Sequence, residues 1–158
     1  MLSNDAFKLS LSRFASGVTV VTYKDGEEFG GITVSSFTSL SLDPPLILFN
    51  INKNSKSNDF FQKDNYFAVH ILSSEQENIS NSFASSKINK NDFFKTLQYV
   101  EKEGVPIFSG ALSVLFCKKE TLYDGGDHTI VVGRVLSAET DESKKSLVYY
   151  NRGYHTIS

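Results

Sequence analysis

Three stretches of this sequence of 158 residues carry side chains able to hold or react with a ligand. Thr33-Val34-Ser35-Ser36 offers three hydroxyls on a backbone that a bulky ligand can approach closely. Asn52-Lys53-Asn54-Ser55-Lys56-Ser57 combines two lysines, two hydroxyls and amides just before an expected helix, the parts needed to hold a phosphate. Gly126-Asp127-His128 puts an imidazole directly after a glycine turn, where it can touch a ligand or exchange a proton. Each stretch also has a plainer reading: a strand with its polar face outward, a solvated loop with a helix cap, and a surface hairpin histidine. His70 sits inside an apolar run and reads as an interior, hydrogen-bonded residue. Tyr149, Tyr150, Tyr154 and His155 read as a cap on a core.

The motifs that would announce other chemistries are missing. Gly-x-Gly-x-x-Gly does not occur, Gly26 to Gly31 lacks the Lys-Ser/Thr ending of a P-loop, and neither Gly-x-Ser-x-Gly nor His-Glu-x-x-His is present. Cys117 is the only cysteine, and the three histidines are far apart, so no metal site is expected. Sixteen basic and eighteen acidic side chains give a formal net charge of −2 without blocks of one sign, which argues against a nucleic-acid partner. Apolar runs such as Leu46–Phe49 fall well short of the ~18 residues of a membrane span, and no signal segment opens the chain. A cytoplasmic protein with no membrane partner is the expectation.

The elements that must position these residues follow from periodicity. Phe7, Leu11 and Phe14 share one helical face, predicting a helix from Asn4 to Ala15 with Ser3 as cap. Val18–Tyr23 predicts a strand entering a hairpin at Asp25-Gly26; further strands are predicted within Phe29–Ser41 and Leu46–Ile51, separated by Asp43-Pro44-Pro45. A short helix is predicted over Asn58–Lys63 and a strand over Tyr66–Leu72. Ser74 and Glu77 match a capping box for a helix running to Ser85. Asn89–Asn91 reads as loop, and strands are predicted at Leu97–Val100, Ala111–Tyr123, Thr129–Ala138 and Leu147–Tyr150. Seven or eight strands against three short helices, without regular alternation, predict a single domain over residues 1–158: mainly β, a closed or nearly closed antiparallel barrel with a few short flanking helices.

Taken in order, these segments resemble the flavin reductase family with the FMN-binding split barrel, the reductase components of two-component flavin-dependent monooxygenases. Phe14-Ala15-Ser16-Gly17-Val18-Thr19-Val20-Val21-Thr22 is similar to the family's opening strand, and Gly31-Ile32-Thr33-Val34-Ser35-Ser36-Phe37-Thr38-Ser39-Leu40-Ser41-Leu42-Asp43-Pro44-Pro45-Leu46 to its most recognisable motif. Leu72 through Gln76 to Phe83-Ala84, Ala111 to Cys117, and Gly126-Asp127-His128-Thr129-Ile130 continue the match. His70, where relatives usually have asparagine, and Arg134, where an acidic residue is common, depart from it.

The resemblance implies a split barrel and hydride transfer from NADH or NADPH to FMN or FAD, with the reduced flavin passing to a partner monooxygenase. It implies that Gly31, Thr33, Val34, Ser35 and Ser36 meet the flavin ring and ribityl chain. Asn52, Lys53, Ser55, Lys56 and Ser57 would hold the phosphate, and Ser82, Phe83 and Ala84 would close one side. His128 would be the catalytic contact to the nicotinamide, with Gly126 and Asp127 shaping its turn and Tyr154 as a wall. A homodimer is implied as well. The competing readings are a flavin- or haem-binding electron carrier that does not reduce free flavin, and an oxidase like the pyridoxamine-phosphate oxidase branch of the same barrel.

Overall fold

The computed structural model describes residues 1–157. In chain order the elements are α1 (Asn4–Leu11), β1 (Ser16–Gly17), β2 (Thr19–Asp25), β3 (Glu28–Val34), β4 (Thr38–Leu42), β5 (Pro45–Asn52), α2 (Lys56–Phe61), β6 (Tyr66–Ile71), α3 (Glu77–Ala84), α4 (Lys90–Phe94), β7 (Tyr99–Lys102), β8 (Val105–Phe108), β9 (Ser113–Gly125), β10 (His128–Thr140), β11 (Leu147–Tyr150) and β12 (Gly153–Thr156). Among the described residues no helix is long and apolar enough to cross a membrane.

Seven strands form one antiparallel sheet in the order β3-β2-β6-β9-β10-β5-β4. Laid flat at about 4.8 Å per strand, its edges would lie about 29 Å apart. Yet β3 and β4, the two edges, are joined by only Ser35, Ser36 and Phe37, which reach about 15 Å even when extended. The sheet therefore rolls until its edges approach at that corner, although β3 and β4 do not pair and the ladder does not close. A second sheet, β1-β11-β12, and the β7–β8 hairpin lie outside the roll.

Alternation along the strands fills the inside. Ile47, Phe49 and Ile51 of β5 meet Val21, Tyr23, Phe67, Val69, Cys117 and Val131, and α2 adds Phe60 and Phe61. Outside the roll, Val18, Val20, Leu72 and Leu147 pack with Phe83, Phe94 and Phe108 beneath α3 and α4. His70 belongs to this outer face, fully buried and stacked on Phe108 at a centroid distance of 3.8 Å. Its Nδ1 donates to Val20 O at 3.1 Å, and Nε2 accepts from Phe108 N at 3.3 Å.

Local departures from the sequence expectations have identifiable causes. The opening helix stops at Leu11 rather than Ala15, because Asn151 N takes the Ser12 carbonyl at 2.9 Å and Ser12 Oγ turns back to Leu9 O. Ser74 does not cap α3, since its N–H pairs with Lys145 O; Gln76 takes that place, its side chain bridging Ser73 N and Ser109 O. Asn89–Asn91 is not simply loop: Asn89 caps α4 through Asp92 N, and Asn91 Oδ1 accepts from Phe29 N. β1, β8 and β12 are additional strands, and the single run expected over Phe29–Ser41 is divided into β3 and β4 by the corner Ser35, Ser36 and Phe37.

Candidate functional site

The three motifs singled out from the sequence meet at the C-terminal end of β5. Ser36 Oγ accepts the Asn50 N–H at 2.9 Å, so the corner after β3 is clasped to β5. Two residues further on, Asn52 stands opposite His128 in the β5–β10 ladder, and Lys53 N donates to Asp127 O at 3.1 Å. The lysine loop and histidine turn are thereby fixed by backbone pairing, and the hydroxyl corner by the short side chain of Ser36.

Asp127 holds the imidazole: its carboxylate lies 2.7 Å from His128 Nδ1, and the ring is half-exposed. This contact, with help from the His128 and Lys53 charges, keeps the Asp127 carboxyl below its usual range. Asp124, at the end of the β9–β10 hairpin, forms a salt bridge with Lys53 and is also held down in pKa, first by that hydrogen bond. Lys56 is exposed and has no ion-pair partner among the described residues. A groove of about 360 Å³ runs between α2 and the hairpin, lined by Lys53, Asn58, Gln62, Tyr123, Asp124 and Thr129. A larger one, about 470 Å³, follows β7 and β8 but contains none of the three motifs, so side-chain chemistry rather than size locates the site.

Several of the singled-out residues already have structural partners. Ser55 Oγ caps α2 through Asn58 N and donates to Asn52 O, and Asn52 Oδ1 accepts from Asn54 N. Ser57 is buried with its hydroxyl 2.8 Å from Tyr23 Oη. Val34 points into the inner core, while Ser35 is exposed at the corner. Thr33 Oγ1 donates to Ser80 O at 2.6 Å and ties β3 to α3. Tyr154 Oη lies 2.7 Å from Ser80 Oγ and donates to Asn81 Oδ1, so it braces α3 rather than facing His128. Within α3, Ser82 and Phe83 are buried and Ala84 is exposed. A Cβ on Gly31 would come within 2.6 Å of the Phe83 ring, so glycine there lets the ring lie on β3. Gly126, at φ 76°, makes the turn ahead of His128.

Two residues at the site escaped the sequence reading. Asp124 was legible only as part of a turn. Asn50 is the one polar residue within the buried run Leu46–Ile51, which was a usable signal. Its Oδ1 is buried and has no hydrogen-bond partner among the described residues. A buried carbonyl oxygen left unpaired costs about 1–3 kcal/mol, so it is a natural acceptor for a ligand N–H.

Residues 11–158 match the flavin reductase like domain, and the chain belongs to that family. It is 40% identical over 157 residues to the 4-hydroxyphenylacetate 3-monooxygenase, reductase component, of Thermus thermophilus, covering 97% of this chain and 96% of that one. Against the FMN reductase (NADH) SmoA of Agrobacterium fabrum the identity is 41% over 133 residues, 84% of this chain and 75% of the other. Among solved structures, the Streptomyces globisporus NADH:FAD oxidoreductase SgcE6, in complex with NAD and FAD fragments, superposes with a TM-score of 0.92 at 32% identity, over 99% of this chain and 93% of that one.

Proposed function

We infer that this flavin reductase does its chemistry at the C-terminal end of β5. It oxidises a reduced nicotinamide nucleotide and reduces FMN or FAD, the flavin ring supplying the electron-accepting chemistry when bound. NADH is the donor favoured by the names of the Agrobacterium and Streptomyces relatives, and the Thermus relative's name favours a separate monooxygenase as consumer of the product. A cytoplasmic location, where NADH is made, fits this use.

The observation that carries the reading is the convergence of Ser36, Asn52-Lys53 and Asp127-His128 on one strand end. Residues of the right chemistry are present for each part of a flavin. Asn50 Oδ1 is an acceptor for the imide N–H of the ring, Ser35 and Ser36 supply hydroxyls, and Lys53 and Lys56 supply charge for a phosphate. Ser55 and Ser57 support the lysine loop from beneath, through the α2 cap and Tyr23. Gly31, Thr33, Ser82, Phe83, Ala84 and Tyr154 form the packed wall behind the corner. Asp127 fixes the imidazole so that Nε2 is presented to the nicotinamide without searching rotamers.

Oxidation of NADH and of NADPH by the purified protein, each with FMN, FAD and riboflavin, tests the assignment. Turnover of added flavin is expected. A protein that retains one flavin and oxidises neither nucleotide would be an electron carrier instead.

The working unit is a homodimer. α1 buries none of its residues, and Phe14, at 82% exposure, and Leu42 on the unpaired edge of β4, at 96%, are apolar side chains in solvent. Covering them with a second copy removes apolar area from water at about 25 cal/mol per Å². Sedimentation of the wild type should give the mass of two chains, and Leu42→Asp should shift it toward one. A monomer with full activity overturns this part.

A further inference from the structure

The two lysines of the phosphate loop are not equivalent. Lys56 is exposed and has no carboxylate partner among the described residues, whereas Lys53 is bound to Asp124. That carboxylate is carried by the β9–β10 hairpin, where the neighbouring Gly126 N–H helps Lys53 to keep its pKa down. Asp127, one turn residue further on, adds a second negative charge close to Lys53, whose backbone N–H it receives on its own carbonyl. Any phosphate drawn to Lys53 therefore meets an ammonium already paired with a carboxylate.

We propose that Asp124 is a specificity-determining residue: its carboxylate competes with the flavin's phosphate for the Lys53 ammonium, so a phosphorylated flavin is held loosely enough to exchange between turnovers. The proposal rests on the placement of the phosphate at Lys53 and Lys56 given above. When the phosphate engages Lys53, the salt bridge to Asp124 is broken or shared, and the carboxylate remains well within a Debye length of the incoming anion. Lys53 and Asp124 are both substantially exposed, and exposed bridges are worth little, so the handicap is a small factor rather than a block. Riboflavin carries no phosphate and does not enter the competition. Asp124 thus lowers the preference for FMN over riboflavin without touching the ring, and it does so through a pair that joins two elements 71 residues apart in sequence.

Equilibrium titration of flavin fluorescence, with FMN and with riboflavin, on the wild type, Asp124→Asn and Lys53→Ala, tests this at one fixed ionic strength. Asp124→Asn is expected to tighten FMN by about two- to fivefold and to slow its release by a similar factor, leaving riboflavin unchanged. Lys53→Ala is expected to weaken FMN and to remove any effect of a further Asp124→Asn change. If Asp124→Asn leaves FMN unchanged or weakens it, while Lys53→Ala still abolishes the preference for FMN, the carboxylate is not a competitor and the proposal fails alone. Equal tightening of FMN and riboflavin also overturns it. If Lys53→Ala leaves the FMN preference intact, the phosphate is held elsewhere, and the reading beneath the proposal falls with it.

Discussion

His128 contributes to the site by orientation before it contributes anything else. Its Nδ1 is taken by Asp127, which leaves the other ring nitrogen for the nicotinamide contact proposed above. Replacing it by alanine should lower kcat, or raise the KM for NADH, by about ten- to a hundredfold while the flavin Kd stays within about twofold. Steady-state kinetics beside a flavin titration check this; loss of flavin affinity with turnover of preloaded protein retained would assign His128 to the wrong ligand. Its position at the head of a strand after a glycine turn was legible in the sequence, with a surface hairpin histidine as the plainer reading. Asp124 was not, because its partner Lys53 is brought to it only by the β5–β10 register, which no local pattern encodes. Ser57 shows the opposite limit: a hydroxyl in a polar loop reads as available, whereas the fold turns it inward against Tyr23.

Among the elements, α3 and β3 behave as one packed unit. Gly31 lies under the Phe83 ring, Thr33 is bonded to Ser80 O, and Tyr154 of β12 grips α3 from the other side. Gly31→Ala would drive a methyl to 2.6 Å from the ring and 3.2 Å from Val21 O, and should cost about 1–3 kcal/mol of stability. Adding Phe83→Leu should recover part of that cost in a double-mutant cycle of thermal melts. Should the two changes simply add, Gly31 is conserving space for something other than the ring. The long strands and the α2 region were readable from apolar alternation and turn residues. The shortest elements were not: α4 has five residues, too few to show a helical period, and β8 contains Pro106, which argues against a strand in any sequence scan. Pro106 is tolerated because β8 belongs to a two-stranded hairpin, and its carbonyl accepts the Thr22 hydroxyl at 2.6 Å.

For the whole molecule, the buried His70 links stability to pH. Burial pushes its pKa from 6.5 down to about 3, so between those values the unfolded chain binds a proton that the folded chain refuses. Stability is unaffected above the unfolded value and falls as pH drops below it, by up to about 1.4 kcal/mol per pH unit until the folded value is reached. Thermal melts from pH 7 to pH 4 should show this loss, and His70→Asn, which retains a donor and an acceptor, should show a shallower one; parallel profiles would exclude His70 as the cause. The rolled sheet that carries it was legible as a closed or nearly closed antiparallel barrel; which of the two forms is decided by the strands left at the edges, and so by pairing across the whole chain. Sulfur placement matters for a different reason. Reduced flavin released in air reacts with dioxygen to give hydrogen peroxide, and the protein nearest the source is the reductase itself. Cys117, its sole thiol, is sealed inside the roll with its pKa raised to about 12, and its single methionine is Met1, outside the packed structure. A catalyst that leaks an oxidant has thus been left with almost nothing in its interior for that oxidant to attack, and prolonged futile cycling in aerated buffer should leave its turnover intact, with any gain of mass confined to Met1.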